Sequence, residues 1–231
     1  MTDPAPLILA FDTAQGACTG ALLRGDTLLA MRHEDMARGQ AERLIGLLQT
    51  VLDDGGADWR ALSHIAVGIG PGNFTGIRIS VAAARGMALG LGCPAIGVSG
   101  FDALAQGAPP PQPGQSLITT IAAPRGQVYL HRLDQDAAAA ASAASGAPPI
   151  QCDPDDLPDL PEGAQVIGAE AARIARRITG QALTPRYPTA EAIARVARDR
   201  LHRDHPPPAP FYLRAADAAP ARDAPPALLD G

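Results

Sequence analysis

Two places in the chain hold residues that could do chemistry. Asp12-Thr13 close the apolar run Leu7 to Phe11, and a carboxylate beside a hydroxyl at a strand end can hold Mg²⁺ and bond a phosphate. The same pair can simply close a turn by bonding to nearby backbone. Gly68-Ile69-Gly70-Pro71-Gly72-Asn73-Phe74-Thr75-Gly76-Ile77-Arg78 follows a second apolar run, Ile65 to Val67, and opens a helix. Amides at such a place can hold an anion. Pro71 offers no N–H and no Gly-Lys-Ser/Thr follows, so a tight strand-to-helix turn also accounts for the glycines.

Other chemistries are excluded by residue type. All 19 basic residues are arginine, which removes P-loop, Schiff-base and general-base lysines. The 3 cysteines, Cys18, Cys93 and Cys152, are widely spaced and read as reduced thiols rather than a disulfide framework or zinc site. His202 and His205 border Pro206, and neither His-x-x-x-His nor His-Glu-x-x-His occurs, so no metal set is expected. Ser99 is not in a Gly-x-Ser-x-Gly elbow. We therefore expect no catalytic and no metal-ligating residues, with Asp12 and Thr13 as the candidates for cofactor contact.

A net charge of −5 and only 3% aromatic residues argue against an independent nucleic-acid binder. Arg173, Arg176, Arg177, Arg195, Arg198, Arg200 and Arg203 read as solvated helix faces that could also touch phosphates. Met1-Thr2-Asp3-Pro4-Ala5-Pro6 has no basic leader region, and no apolar run approaches the roughly 18 residues of a membrane span. The expectation is a cytoplasmic protein that does not enter a membrane.

Hydrophobic periodicity supplies the elements that must hold these residues. Leu7 to Phe11, Ala17 to Leu23 and Thr27 to Met31 predict an antiparallel meander. Gln40 to Leu52 is an amphipathic helix with Ala41, Leu44, Ile45, Leu47, Leu48, Val51 and Leu52 in one stripe. A short strand at Ser63 to Gly68, a helix from Thr75 to about Gly92 and a strand at Cys93 to Val98 follow. The second helix has almost no polar face, so something besides its own sheet should cover it. The order βββαβαβ matches a ribonuclease-H-like unit, the repeated half of actin-like ATPases. After the proline-rich linker 106–114 come a strand pair at Ser116 to Ala122 and Gln127 to Leu133, an Ala-rich loop at 137–149 and a strand at Val166 to Gly168. Helices at Glu170 to Ile178 and Ala190 to His202 complete what looks like a truncated repeat. We predict lobes at 1–105 and 106–214, and a disordered tail at 215–231.

Ile8-Leu9-Ala10-Phe11-Asp12-Thr13-Ala14, the glycine stretch through Ile79, Gly97-Val98-Ser99 and Tyr212-Leu213-Arg214 together resemble the bacterial TsaB (YeaZ) family. The resemblance is dense over residues 7–105 and thinner over 115–214. It implies a two-lobed actin-like ATPase (ASKHA, ribonuclease-H-like) α/β fold with a reduced second lobe. It further implies a non-catalytic scaffold in the machinery that places threonylcarbamoyl on tRNA adenosine. The partners it implies are a metal-bearing catalytic TsaD-like subunit, a TsaE-like ATPase, a second copy when alone, and tRNA through the complex. No cofactor would bind this chain alone; ATP or ADP and a metal would sit with the partner subunits. Carried onto this sequence, the two helices of the first lobe form the partner surface, with Leu44, Leu48, Val51, Gly76, Ser80, Ala83 and Met87 as its expected residues. Gly70, Pro71, Gly72, Phe74, Thr75, Gly76 and Arg78 match the family's glycine loop. Ala122 and Pro124 depart from its second-lobe turn. The rival reading is a small actin-like phosphotransferase using Asp12 and Mg-ATP.

Overall fold

The computed structural model describes residues 5–109, 114–133 and 147–213. Most of the Ala-rich loop, the centre of the proline-rich linker, Arg214 and the tail lie outside the described residues.

β1 (Leu7–Asp12), β2 (Ala17–Arg24) and β3 (Thr27–Asp35) form the meander. Helix α1 (Gln40–Asp54) leads to β4 (His64–Gly68), α2 (Phe74–Leu91) to β5 (Ala95–Val98), and a short α3 (Gly100–Gln106) follows. The second half contains β6 (Leu117–Ala122), β7 (Val128–Leu133), β8 (Ile150–Cys152), β9 (Gln165–Gly168), α4 (Ala171–Arg177), β10 (Gln181–Leu183) and α5 (Thr189–Asp199). The sheets run β3-β2-β1-β4-β5 and β10-β9-β6-β7-β8. Read from its meander outward, each has the same order, with an antiparallel meander joined to parallel strands. This is the two-lobed actin-like fold, and its second copy is reduced: α4 has 7 residues where α2 has 18.

β1 is apolar from Leu7 to Phe11 because both its faces are covered. Leu7, Leu9 and Phe11 pack with Leu44, Leu47, Leu48, Val51 and Leu52 of α1. Ile8 and Ala10 pack on the other face with Ala192, Ile193 and Val196 of α5. In the second sheet α4 covers Ile118, Leu130 and Val166, while α3 covers the opposite face through Phe101 and Leu104. The layers are therefore α1 with α2, the first sheet, α5 with α3, the second sheet, and α4. The last helix of each half lies between the sheets, and α5, expected with the second lobe, packs on the first sheet.

Charge fastens this middle layer. Arg200, at the end of α5, lies 3.0 Å from Asp102 of α3, both side chains nearly buried. Arg195 bonds Glu191 at 2.7 Å and lies over the Tyr187 ring, and Arg198 pairs with Asp199 and Asp26. On α4, Arg173 and Arg177 both meet Asp155. Five of the seven arginines read as solvated faces are thus held by carboxylates of the chain itself. Among the described residues no helix is long and apolar enough to cross a membrane.

Two glycines of α2 differ in what surrounds them. A methyl group on Gly76 would overlap the carbonyl of Thr13, whereas one on Gly86 would meet nothing within 4 Å. Gly76→Ala should cost about 3 kcal/mol or more and Gly86→Ala should gain about 0.5–1 kcal/mol in urea unfolding. Equal effects would mean that α2 does not press on the β1–β2 turn.

Candidate functional site

The four sequence stretches that carry the resemblance meet at one loop. Asn73 N donates to Ala14 O at 2.8 Å, Ile69 N to Val98 O at 3.0 Å, Gly100 N to Gly70 O at 2.8 Å and Phe211 N to Ile69 O at 2.8 Å. Gly70 has a φ of 101°, which a residue with a side chain rarely adopts. The Gly70–Pro71 peptide is cis. Asn73 caps α2 by accepting from Gly76 N. Arg78 lies 3.8 Å from the centre of the Phe74 ring and donates from Nε to Tyr212 Oη at 3.0 Å. The rings of Phe74 and Tyr212 are 5.0 Å apart. The segment after α5 therefore returns to strap the start of α2.

Asp12 and Thr13 both lie beneath this loop. Thr13 Oγ1 donates to Gly76 O at 2.6 Å, and Asp12 Oδ1 accepts from Ala14 N at 2.7 Å. The other carboxylate oxygen of Asp12 occupies the space where a Gly68 side chain would stand. Burial pushes the Asp12 carboxyl up to about 6, against the pull of the Ala14 amide. Asp12 thus closes its own turn, Thr13 ties that turn to the start of α2, and neither lines a cavity among those described.

The structure places the expected partner residues mostly inside the chain. Leu44, Leu48 and Val51 are in the core beneath α1, and Gly76 and Ser80 are buried. Ser80 Oγ bonds the Gly68, Gly76 and Ile77 carbonyls. The sheet takes the leucine side of α1 and the Gly76–Ser80 side of α2, because β1 and β4 supply flat apolar cover there. Ala83 and Met87 are half-buried. What faces outward instead is Ile45 at 51% exposure and Leu89 at 87%, with Ala82, Arg85, Gly86 and Gly90 exposed around Leu89. The last two turns of that face are small or apolar apart from Arg85, while Thr75 and Arg78 are exposed nearer its start.

A cleft of about 650 Å³ opens between the sheets, lined among others by Gln15, Gly100, Leu104, Thr120, Ile121 and Gly168. Pro185, Arg186 and Tyr187 form another wall, and sequence reasoning missed all three. Their only signal is the placement of Arg186-Tyr187-Pro188 directly before a helix. Ala122, at the end of β6 as Asp12 is at the end of β1, also lines the cleft. A smaller groove of about 400 Å³ lies between the starts of α1 and α2, at Arg38, Gln40, Asn73 and Thr75. Among the described residues no three His, Cys, Asp or Glu side chains are grouped to hold a metal.

The comparisons agree with this geometry. A family model described as TsaD, tRNA N6-adenosine threonylcarbamoyltransferase, matches residues 33–174. The Escherichia coli tRNA threonylcarbamoyladenosine biosynthesis protein TsaB is 37% identical over 129 residues, covering 56% of this chain and 55% of that protein. The chain spans about half the length of the curated relatives it matches. A crystal structure from Pseudomonas aeruginosa, described as similar to the peptidase YeaZ, aligns with a TM-score of 0.70 and 27% identity over 90% of this chain and all of that one. Component A of (R)-2-hydroxyglutaryl-CoA dehydratase from Acidaminococcus fermentans shares the fold alone, at TM-score 0.54 and 9% identity, over 86% of this chain and all of that one.

Asp12 gives a signed test of its burial. Its pKa is about 6 in the fold against an ordinary 3.8, so the folded state holds the proton more tightly and stability falls as pH rises between those values. Asp12→Asn keeps an acceptor for Ala14 N, and should be more stable than the native chain by on the order of 2–3 kcal/mol at pH 8. That gain should vanish near pH 3.5 in urea titrations. A difference independent of pH would show a hydrated carboxylate instead.

Proposed function

The chain belongs to the TsaD-type family and, by its relatives, to the TsaB (YeaZ) group, and on that premise we propose that it is a scaffold subunit in tRNA threonylcarbamoyladenosine biosynthesis. It pairs with the TsaD-like catalytic subunit through the outer faces of α1 and α2, forming a four-helix contact. The observation that carries this reading is Leu89, a large apolar side chain 87% exposed on a helix with little polar surface. Exposed alone it would be unremarkable, but Ala82, Gly86 and Gly90 on the same side of α2 are also exposed, with Arg85 the one charge among them, and Ile45 is a second exposed large apolar side chain on α1.

Transfer of threonylcarbamoyl to N6 of adenosine belongs, in this reading, to the partner. ATP or ADP and a metal sit with the partner subunits, a TsaE-like ATPase joins the pair, and tRNA is reached through the assembly. Alone, the chain pairs with a second copy through the same helices, in the cytoplasm. The non-catalytic role is supported by the internal bonds that Asp12 makes to Ala14 N and Thr13 to Gly76 O, and by alanine at position 122. A phosphotransferase using Asp12 and Mg-ATP would need a carboxylate in the cleft wall, and among the described residues the lining has none.

Light scattering of the chain mixed with its host's TsaD-like protein tests the pairing, with a one-to-one complex expected. Leu89→Asp and Ile45→Asp should each weaken it about 30-fold or more, the scale of a buried apolar anchor, while leaving the monomer folded. Leu48→Asp should instead unfold the monomer. Native affinity in both surface variants would refute the assigned face.

A further inference from the structure

The interior of the second lobe holds a histidine that the scaffold role does not use. His131, on β7, has 1% of its surface exposed, and neither of its ring nitrogens makes a well-formed hydrogen bond among the described residues. A neutral imidazole carries one N–H donor and one acceptor, so both go unsatisfied, a cost that a phenyl ring in the same place would not incur. What holds the ring is an aromatic contact. Its centre is 5.2 Å from that of Phe101, the second residue of α3.

Phe101 carries this position onward to the glycine loop. Its ring lies 6.4 Å from that of Phe211, edge to face. Phe211 N donates to Ile69 O, and the next residue, Tyr212, rests on Phe74 and accepts from Arg78 at the start of α2. Tyr129 packs in the same cluster as Phe101 and Phe211. Five of the eight Phe, Tyr and Trp side chains of the chain therefore lie on one line from β7 to α2. The strap after α5 is held by rings whose far neighbour is a titratable group.

The groups around His131 decide what a proton would do there. From α3 comes the carboxylate of Asp102, which is 3.0 Å from Arg200 at the end of α5. β6 and β8 place Thr119, Ile121 and Gln151 on this face of the sheet, all uncharged, and Tyr129 lies two residues away on β7 itself. Burial pushes the imidazole below its ordinary value, against the pulls of Asp102 and of the Ala147 backbone. The folded chain thus binds this proton less tightly than the unfolded one, and stability falls as pH drops. An imidazolium without an acceptor is costly in such a place. The carboxylate that could relieve it is already committed to Arg200.

We propose that His131 is a proton-operated latch: on taking up a proton from solvent, its ring draws Asp102 away from Arg200 and swings Phe101 out of the cluster, and the strap at Phe211 and Tyr212 releases the start of α2. The latch is closed at neutral pH and opens in acid. It stands apart from the scaffold reading and is tested on the chain alone, so its failure leaves that reading untouched.

Nuclear magnetic resonance of the ¹⁵N-labelled chain, from about pH 7.5 to about pH 5, follows the His131 ring and the exchange of single amides. His131 should titrate below 6.5, and the protection factor of the Phe211 amide should fall at least tenfold with the same midpoint, while the amides of β1 stay protected. In His131→Phe, which keeps a ring and removes the proton site, Phe211 protection should no longer depend on pH. His64 and His205, near each other where the strap begins, and Asp12 are unchanged in that variant, so a pH dependence that survives in it belongs to them and overturns the proposal. The comparison of midpoints in the native chain stands without any variant. A His131 that titrates at or above 6.5, Phe211 protection that ignores pH in the native chain, or protection lost equally from β1 and Phe211 would each overturn the proposal as well.

Discussion

Everything in the first lobe depends on how closely the β1–β2 turn presses against the loop that opens α2. The backbone of Thr13 and Ala14 fills the space that side chains at positions 72 and 76 would need, and Asp12 fills it at 68. That contact sets the angle at which α2 leaves β4, and hence which side of α2 is free. It also explains why residues far apart in sequence form one motif. β5 and the segment at Phe211 bond to the same loop, so the aspartate, glycines, serine and tyrosine of the pattern are a single structural joint.

The first lobe was legible because its elements are long and strongly periodic. β1, β2, α1, β4, α2 and β5 lie within a residue or two of where periodicity puts them, while β3 runs on to Asp35. α3 was not expected, although Ser99 caps it by accepting from Asp102 N. Its 7 residues are too few to show a period. β8 and β10, at 3 residues each, exist because neighbouring strands offer them partners, and their own sequences carry little strand signal.

The helix faces show a different limit. A wheel groups Gly76, Ser80, Ala83 and Gly86 together but does not say which neighbour takes them. Ser80 was expected on the partner surface because the resemblance puts α2 there; in the fold its hydroxyl lies within hydrogen-bond reach of three carbonyls and is fully buried. Arg186 and Tyr187 were invisible for the opposite reason, since a cleft wall is assembled from loops whose residues share no spacing.

The exchange of end helices has a consequence for how the protein is made. Ile8 and Ala10 leave the ribosome early, but Ala192, Ile193 and Val196, which cover them, follow about 180 residues later, on the order of 10–40 s at ordinary synthesis rates. Until then one face of the central strand is bare and adhesive. The first lobe cannot be finished while the second is still being synthesised. In that interval the nascent chain carries an uncovered apolar face that its own later helix must reach.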